Sequence, residues 1–220
     1  MTVKVFVGTS PNGEDDVAEK TLEYSLKKHS SEPVECIFMR NNNDPDNIFG
    51  NFDNKTWATP FTGLRWIIPY ACNFQGRAIY MDVDQINFHD IADMWNIDLQ
   101  GKIFGAVNNR ACVMLIDCEK FQSIAKPLEQ LKKSNSFQHE YYNILRNSNN
   151  TKQIDSRWNV LDGRGYENNP EEIWHLHFTS MPTQPWKPKW FRGTPRPHPR
   201  KDLVALWEKY RDEAFQVSSL

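Results

Sequence analysis

The sequence predicts a single α/β domain, with a central mixed and mostly parallel sheet flanked by helices, and three observations carry that expectation. The chain opens strand–helix–strand. Apolar strand candidates then alternate with helical stretches to its end, and neither an internal repeat nor an inter-domain linker interrupts them. At 220 residues and 25.8 kDa, one fold of this size hides about 70% of its extended-chain surface, enough for a full core.

Val3 to Val7 reads as a buried strand, followed by the turn-forming run Gly8-Thr9-Ser10-Pro11-Asn12-Gly13. A helix is expected from about Glu14 to His29. Glu14, Asp15 and Asp16 stand at its start and Lys27, Lys28 and His29 at its end, matching the helix dipole, while Ala18, Leu22 and Leu26 make its apolar stripe. Val34 to Met39 is the second strand, which completes a parallel βαβ unit. Asn41 to Thr59 is rich in Asn, Asp and Gly and reads as loop, and a loop of that length in a compact fold is usually functional or mobile. Phe61 to Phe74 has the pattern of an amphipathic helix, limited or kinked at Pro69.

Gly76 ends that helix, and the short apolar strand Arg77 to Met81 runs directly into Asp82-Val83-Asp84. A short helix over Ile91 to Trp95 precedes two more strands, Ile103 to Val107 and Cys112 to Ile116. Helical stretches at Cys118 to Leu131 and Phe137 to Asn147 follow, then strand candidates at Trp158 to Leu161 and Ile173 to Phe178. Pro182 to Lys201 is too proline-dense for helix or central strand. Asp202 to Gln216 is a final helix, with Leu203, Leu206, Trp207 and Tyr210 as its docking stripe. The expected layout is one domain over residues 1–200, with the helix of residues 201–220 docked on it.

Composition excludes several classes. Hydrophobic residues at 39% and charged residues at 25% exclude a disordered chain. A mean hydropathy of -0.68 without a long apolar run excludes a spanning helix, since Pro69 breaks the most apolar stretch, Trp66 to Cys72. The N-terminal run Met-Thr-Val-Lys-Val-Phe-Val reads as a strand rather than a signal peptide, so a cytoplasmic protein is expected. A net charge of -2 supplies no global field for nucleic acid or an anionic membrane. Cys36, Cys72, Cys112 and Cys118 lack metal-ligand or redox-motif spacing and read as buried reduced thiols.

Asp82 and Asp84 carry the chemistry. They lie just past the C-terminal end of an apolar strand, the edge of open α/β sheets where ligands bind. Alternate carboxylates there can share one divalent cation, which can neutralise a diphosphate. About one Asp-x-Asp is expected by chance among fifteen aspartates, and a second copy, Asp44-Pro45-Asp46, does occur. That copy sits in a polar loop and reads as turn chemistry. Taken alone, the copy at Asp82 also fits a solvated strand-end turn.

The surrounding residues add a resemblance. The run Trp57-Ala58-Thr59-Pro60-Phe61-Thr62-Gly63-Leu64-Arg65-Trp66, then Ala78-Ile79-Tyr80-Met81-Asp82-Val83-Asp84, then Ile91-Ala92-Asp93-Met94-Trp95, closely resembles glycosyltransferase family 8. Val5-Phe6-Val7-Gly8-Thr9-Ser10, Asn109-Arg110-Ala111-Cys112-Val113 and His175-Leu176-His177-Phe178-Thr179 with Pro185-Trp186 agree with it in order. The resemblance covers about Val3 to Lys187. Two departures stand out: Gln184 occupies the place of the family's lysine before Pro-Trp, and the family's Asp-Gln segment has only Glu140, in His139-Glu140-Tyr141, as its nearest local match.

What the resemblance implies is a GT-A, Rossmann-like fold and a metal-dependent, retaining transfer of sugar from a UDP-sugar to an acceptor hydroxyl. Asp82, Asp84 and His177 would hold Mn2+ or Mg2+, with His175 as the alternative imidazole. Arg65 would face the donor phosphates, Glu140 the anomeric carbon, and Lys187 would replace the missing lysine. Thr9, Ser10, Val83 and Asn108 would contact the nucleotide sugar. Nucleotide sugar and an acceptor are then the expected partners, with no membrane span and no nucleic acid. Three other readings remain at this stage: a non-catalytic nucleotide-sugar- or carbohydrate-binding relative, a haloacid dehalogenase-type phosphatase, and a nucleic-acid-binding protein using the basic, aromatic stretch Trp186 to Lys201.

Overall fold

Residues 1–55, 57, 59–162, 172–186 and 191–217 are described in a computed structural model. Val3–Gly8 forms β1, and its Val3, Val5, Phe6 and Val7 are buried on both faces, as a central parallel strand requires. Helix α1 (Asp16–His29) returns along the sheet with Ala18, Leu22 and Leu26 wholly buried, and β2 (Val34–Met39) pairs parallel to β1. The helix starts within its acidic run, at Asp16, and Asp15 just before it is buried and accepts the Trp186 indole N–H at 3.2 Å.

The segment expected as one amphipathic helix splits. Thr62–Ile67 is a 3-10 turn and α2 covers only Ile68–Ala71, with Pro69 in its first turn, where a missing N–H costs nothing. Asn73 and Phe74 then take left-handed φ values of 50° and 55°, and Gly76 one of 65°, which turns the chain into β3 (Arg77–Asp82). Next come β4 (Gln85–Asn87), α3 (Ile91–Trp95), β5 (Phe104–Ala106) and β6 (Val113–Asp117). The long helical stretch expected after β6 is α4 (Cys118–Phe121), a 3-10 turn and α5 (Leu128–Lys133), and α6 covers Asn135–Arg146.

The six-stranded sheet has the order β2-β1-β3-β6-β5-β7, where β7 is Thr151–Gln153. Pairings β1–β2, β1–β3 and β5–β7 are parallel, while β6 runs antiparallel to both β3 and β5. The sheet is thus mixed and mostly parallel, as expected. A second sheet joins β4, β9 (His175–His177) and β8 (Val160–Leu161). Trp158, expected on a strand, instead lies in a 3-10 turn.

Helix α7 (Lys201–Val217) buries Leu203, Trp207, Tyr210 and Ala214, whereas Leu206 of the expected stripe is only half-buried. It packs on α1 through Lys28–Glu213 at 2.6 Å and His29–Tyr210 at 2.7 Å. Among the described residues no helix is long and apolar enough to cross a membrane.

Candidate active site

The sheet topology delivers the two aspartates. β3 ends at Asp82 between β1 and β6; the Val83 N–H donates to the Gly8 carbonyl at 3.1 Å and the Asp82 N–H to the Cys112 carbonyl at 3.2 Å. The chain then enters β4, which pairs antiparallel with β9 so that Gln85 lies opposite His177. The Phe178 N–H closes this register on the Asp84 carbonyl at 2.8 Å. One oxygen each from Asp82 and Asp84 and one His177 nitrogen consequently lie within 4.8 Å of one another.

That donor set fits a divalent cation. Two carboxylate oxygens and an imidazole suit Mn2+, while Mg2+ favours oxygen alone. Asp84 Oδ1 is buried 3.1 Å from His177 Nε2, yet no aligned hydrogen bond reaches it. Such an orphaned carboxylate oxygen is what a cation would take up.

Charge balance explains how the pair survives burial. Arg65, only 5% exposed, donates from Nη2 to Asp82 Oδ1 at 3.0 Å, from Nε to the Thr62 carbonyl at 2.7 Å and from Nη1 to the Ala111 carbonyl. Its guanidinium lies 4.5 Å from the centroid of the Tyr80 ring, and the Tyr80 hydroxyl donates to the same Asp82 oxygen. Burial pushes the Asp82 carboxyl above its usual range against the pull of Arg65, and the Asp84 charge adds to that push. Burial also disfavours a charged His177, but the Asp84 carboxylate outweighs it and raises the imidazole well above its ordinary value.

The structure separates the two histidines. His175 is fully buried, with Nε2 2.7 Å from Gln85 Oε1 and Nδ1 3.4 Å from Asn87 Oδ1, and burial lowers it to about 3. It is a neutral core histidine, and His177 is the one brought to the carboxylates.

The segment after β9 covers this corner. Gln184 donates from Nε2 to Asp84 Oδ2 at 3.2 Å and to the Phe178 carbonyl at 2.9 Å. Trp186 stacks on Trp207 with centroids 5.4 Å apart. The cavity left beside Asp84, lined by Asp15, Phe61, Val83, Met181, Gln184 and Trp186 among others, measures about 20 Å³. That holds about one water molecule. A roomier groove of about 410 Å³ lies between α1 and α7, but it shares no lining residue with the carboxylate cluster.

The other expected site residues fall as follows. Thr9 and Ser10 are fully buried at the end of β1, and the Thr9 hydroxyl donates to Glu19 Oε1 at 2.5 Å. Glu19 is also paired with Arg40 at 2.5 Å. Val83 is buried and lines the small cavity. Asn108 and Asn109 have φ of 50° and 55°, and the Arg110 N–H donates to the Val107 carbonyl at 3.0 Å, a type I′ turn joining β5 to β6. Asn108 is exposed at its tip. Glu140 is exposed on α6, its carboxylate 2.9 Å from Lys126 Nζ. Lys187 lies outside the described residues.

Two features escaped the sequence. Gln138 on α6 is fully buried, neither atom of its amide has a hydrogen-bond partner, and it faces Gly63, where an added Cβ would fall 2.7 Å from its Oε1. Gly63 stands two residues before Arg65, so the unpaired amide adjoins the cluster's supporting turn. The only available signal was a glutamine on the apolar face of α6 with Tyr141 and Leu145. The other feature is Asn159, whose Nδ2 donates to Cys112 Sγ at 3.0 Å and whose Oδ1 lies 3.3 Å from His177 Nδ1, fixing the ring from behind.

Carboxylates at the C-terminal edge of a mixed sheet, covered by a second small sheet, define the GT-A class of α/β fold. The sequence model of glycosyl transferase family 8 matches residues 13–144, and the chain belongs to that family. Over 95 residues the chain is 25% identical to Protein CDI of Arabidopsis thaliana, a stretch covering 43% of this chain and 36% of that protein. The apo glycosyltransferase GlyE of Streptococcus pneumoniae TIGR4 superposes with a TM-score of 0.61 at 18% identity, covering 99% of this chain and 64% of GlyE. The galactosyltransferase LgtC, solved with donor and acceptor sugar analogs, gives a TM-score of 0.61 at 12% identity, covering 97% of this chain and 96% of LgtC. The chain therefore spans less than two thirds of CDI and of GlyE.

Proposed function

We propose that this chain transfers a sugar from a UDP-sugar to an acceptor hydroxyl, with retention, at a divalent metal held by Asp82, Asp84 and His177. The observation carrying this reading is the convergence of those three donor atoms within 4.8 Å at the ligand-binding edge of the sheet. Mn2+ or Mg2+ bound there would stabilise the charge of the departing diphosphate. Arg65 holds Asp82 ionised and oriented, so that it serves the phosphates through the carboxylate it touches. Thr9, Ser10, Val83 and Asn108 border the donor, with Thr9 acting through backbone because its hydroxyl is committed to Glu19.

We assign Gln138 to the donor sugar, since a fully buried amide without partners costs free energy that a sugar hydroxyl would recover. LgtC has been solved as an active-site glutamine-to-glutamate variant, which supports looking for such a residue here. Residues two apart on a helix do not share a face, so Glu140, exposed and paired with Lys126, lies off the Gln138 side of α6. Beside Asp84 the donor would meet Gln184 and Trp186, and Lys187 is the cation proposed to stand in for the family's lysine.

Isothermal calorimetry with UDP tests this directly. Binding should require Mn2+ or Mg2+, and equal affinity in a chelator would sink it. Gln184 in the lysine position favours a second reading, a non-catalytic nucleotide-sugar-binding relative. Mn2+-dependent hydrolysis of UDP-sugars separates the two, because a binding module would release no sugar.

A further inference from the structure

From Arg192 to Pro199 every residue but one is exposed. Pro195, Pro197 and Pro199 alternate through this stretch and supply no N–H, which favours an extended chain without hydrogen bonds of its own. The exception is His198, flanked by two prolines and 7% exposed. The Arg200 N–H donates to its Nδ1 at 3.0 Å, and its Nε2 donates to Asp162 Oδ2 at 3.0 Å, a pair whose side chains are no more than 2% exposed. The imidazole also meets the Phe178 ring edge-on, with centroids 5.7 Å apart.

Asp162 passes that anchor on to the carboxylate corner. It follows β8, a strand of two residues at the edge of the small sheet, too short to hold its register by pairing alone. The Asp162 N–H donates to the His177 carbonyl at 3.0 Å, and Asp162 Oδ1 accepts the Thr179 N–H at 3.0 Å and the Thr179 hydroxyl at 2.9 Å. Asp162 thus brackets Phe178, whose own N–H donates to the Asp84 carbonyl. Asn159, just before β8, faces the His177 ring. Both the backbone and the ring of His177 are therefore referred to β8, and β8 ends on the carboxylate that His198 holds.

We propose that His198 is a positioning residue for His177: through Asp162 it locks β8 against β9, and so arranges the imidazole and the two aspartates for a divalent cation. The inference rests on the reading of Asp82, Asp84 and His177 as metal ligands, and no atom of His198 touches the ion. Without the imidazole, Asp162 Oδ2 is left buried and unpartnered, and the carboxylate turns toward water. Thr179 is then released and β8 frays from β9. A cation must order that strand as it binds, so affinity falls.

Two measurements test this, amide hydrogen exchange on the metal-free chain and calorimetric titration with Mn2+. In His198→Ala, exchange at Asp162, Phe178 and Thr179 should quicken while α7 keeps wild-type rates. Mn2+ affinity should fall about tenfold, the lower end for groups that orient a metal ligand from behind. His198→Gln, whose amide can donate to Asp162, should restore both. Tyr210→Phe, which removes the bond to His29 elsewhere on the C-terminal segment, should change neither exchange at β9 nor Mn2+ affinity. Unchanged exchange in His198→Ala, or unchanged Mn2+ affinity beside a wild type that binds the ion, overturns the proposal. A wild type that binds no Mn2+ overturns the metal reading instead, and exchange still decides whether His198 locks β8. If His198→Ala fails to fold, Thr179→Val, at an exposed position, should move both readouts the same way, and no movement overturns the proposal.

Discussion

The chain contains Asp-x-Asp twice, and the two copies have opposite fates. Asp44 and Asp46 are exposed; Asp44 Oδ1 accepts the Asp46 N–H at 3.0 Å, and Asn42 Oδ1 accepts the Asp44 N–H at 3.2 Å, a self-contained Asx turn. Asp82 and Asp84 are 13% and 19% exposed and are held from elsewhere in the chain, Asp82 by Arg65 and Tyr80 and Asp84 Oδ2 by Gln184, while Asp84 Oδ1 faces His177 without a hydrogen bond. The first copy spends the Asp44 carboxylate on its own backbone. The second is held in place by other elements, which leaves carboxylate oxygens free to meet a ligand. The motif is therefore only as informative as the strand in front of it.

The largest expected contrast is in ligand binding. Asp84→Ala or Asp82→Asn should abolish metal-dependent UDP binding with folding retained, while Asp44→Asn and Asp46→Asn should stay within about twofold of wild type, as expected for solvated turn residues. Calorimetry on the four variants checks this, and equal affinities would erase the distinction between the copies. Arg65→Ala should lower stability by about 3–5 kcal/mol in a denaturant titration, because it strands a buried carboxylate. Removing Arg157, whose exposed pair with Asp155 spans 2.6 Å, should leave the unfolding midpoint nearly unchanged by the same measurement.

A pH series sharpens the contrast through His175. Its folded value near 3 lies below the ordinary 6.5, so the unfolded chain binds the extra proton first. Stability should therefore fall as pH drops from about 6.5 toward 3, by on the order of 4 kcal/mol for this group. His175→Gln should flatten that acid limb even if it lowers stability at neutral pH. The smallest effect is expected at Glu140. Glu140→Gln should shift stability by under about 1 kcal/mol. Its turnover should change less than that of Gln138→Ala; the reverse order would return Glu140 to the reacting carbon.

Strand–helix–strand alternation made the sheet legible, and β2 and α3 fall at their expected bounds because apolar pattern and flanking polar residues agree there. β4 and β7 were not legible: Gln85–Asn87 and Thr151–Gln153 are short and polar, and pairing across the fold rather than local pattern makes them strands. Asp82 could be picked out by its place after an apolar strand, and His177 only through the family resemblance. Gln138 could not be found, since a buried glutamine on a helix looks like a solvated one until the facing turn is known. Asn108 shows the reverse case, where a residue type common in ligand contacts also satisfies the positive φ of a hairpin turn.

Strand β6 runs against its neighbours, so the chain enters the sheet at the very edge where β3 leaves it. The carbonyls of Ala111 and Cys112 consequently form a floor under Arg65, Asp82 and Gln85. A floor of main-chain oxygen survives almost any change of residue above it. Mutation can thus remodel the side chain at 111 without removing the carbonyls beneath, while inserting or deleting a single residue in the hairpin would tip the whole platform.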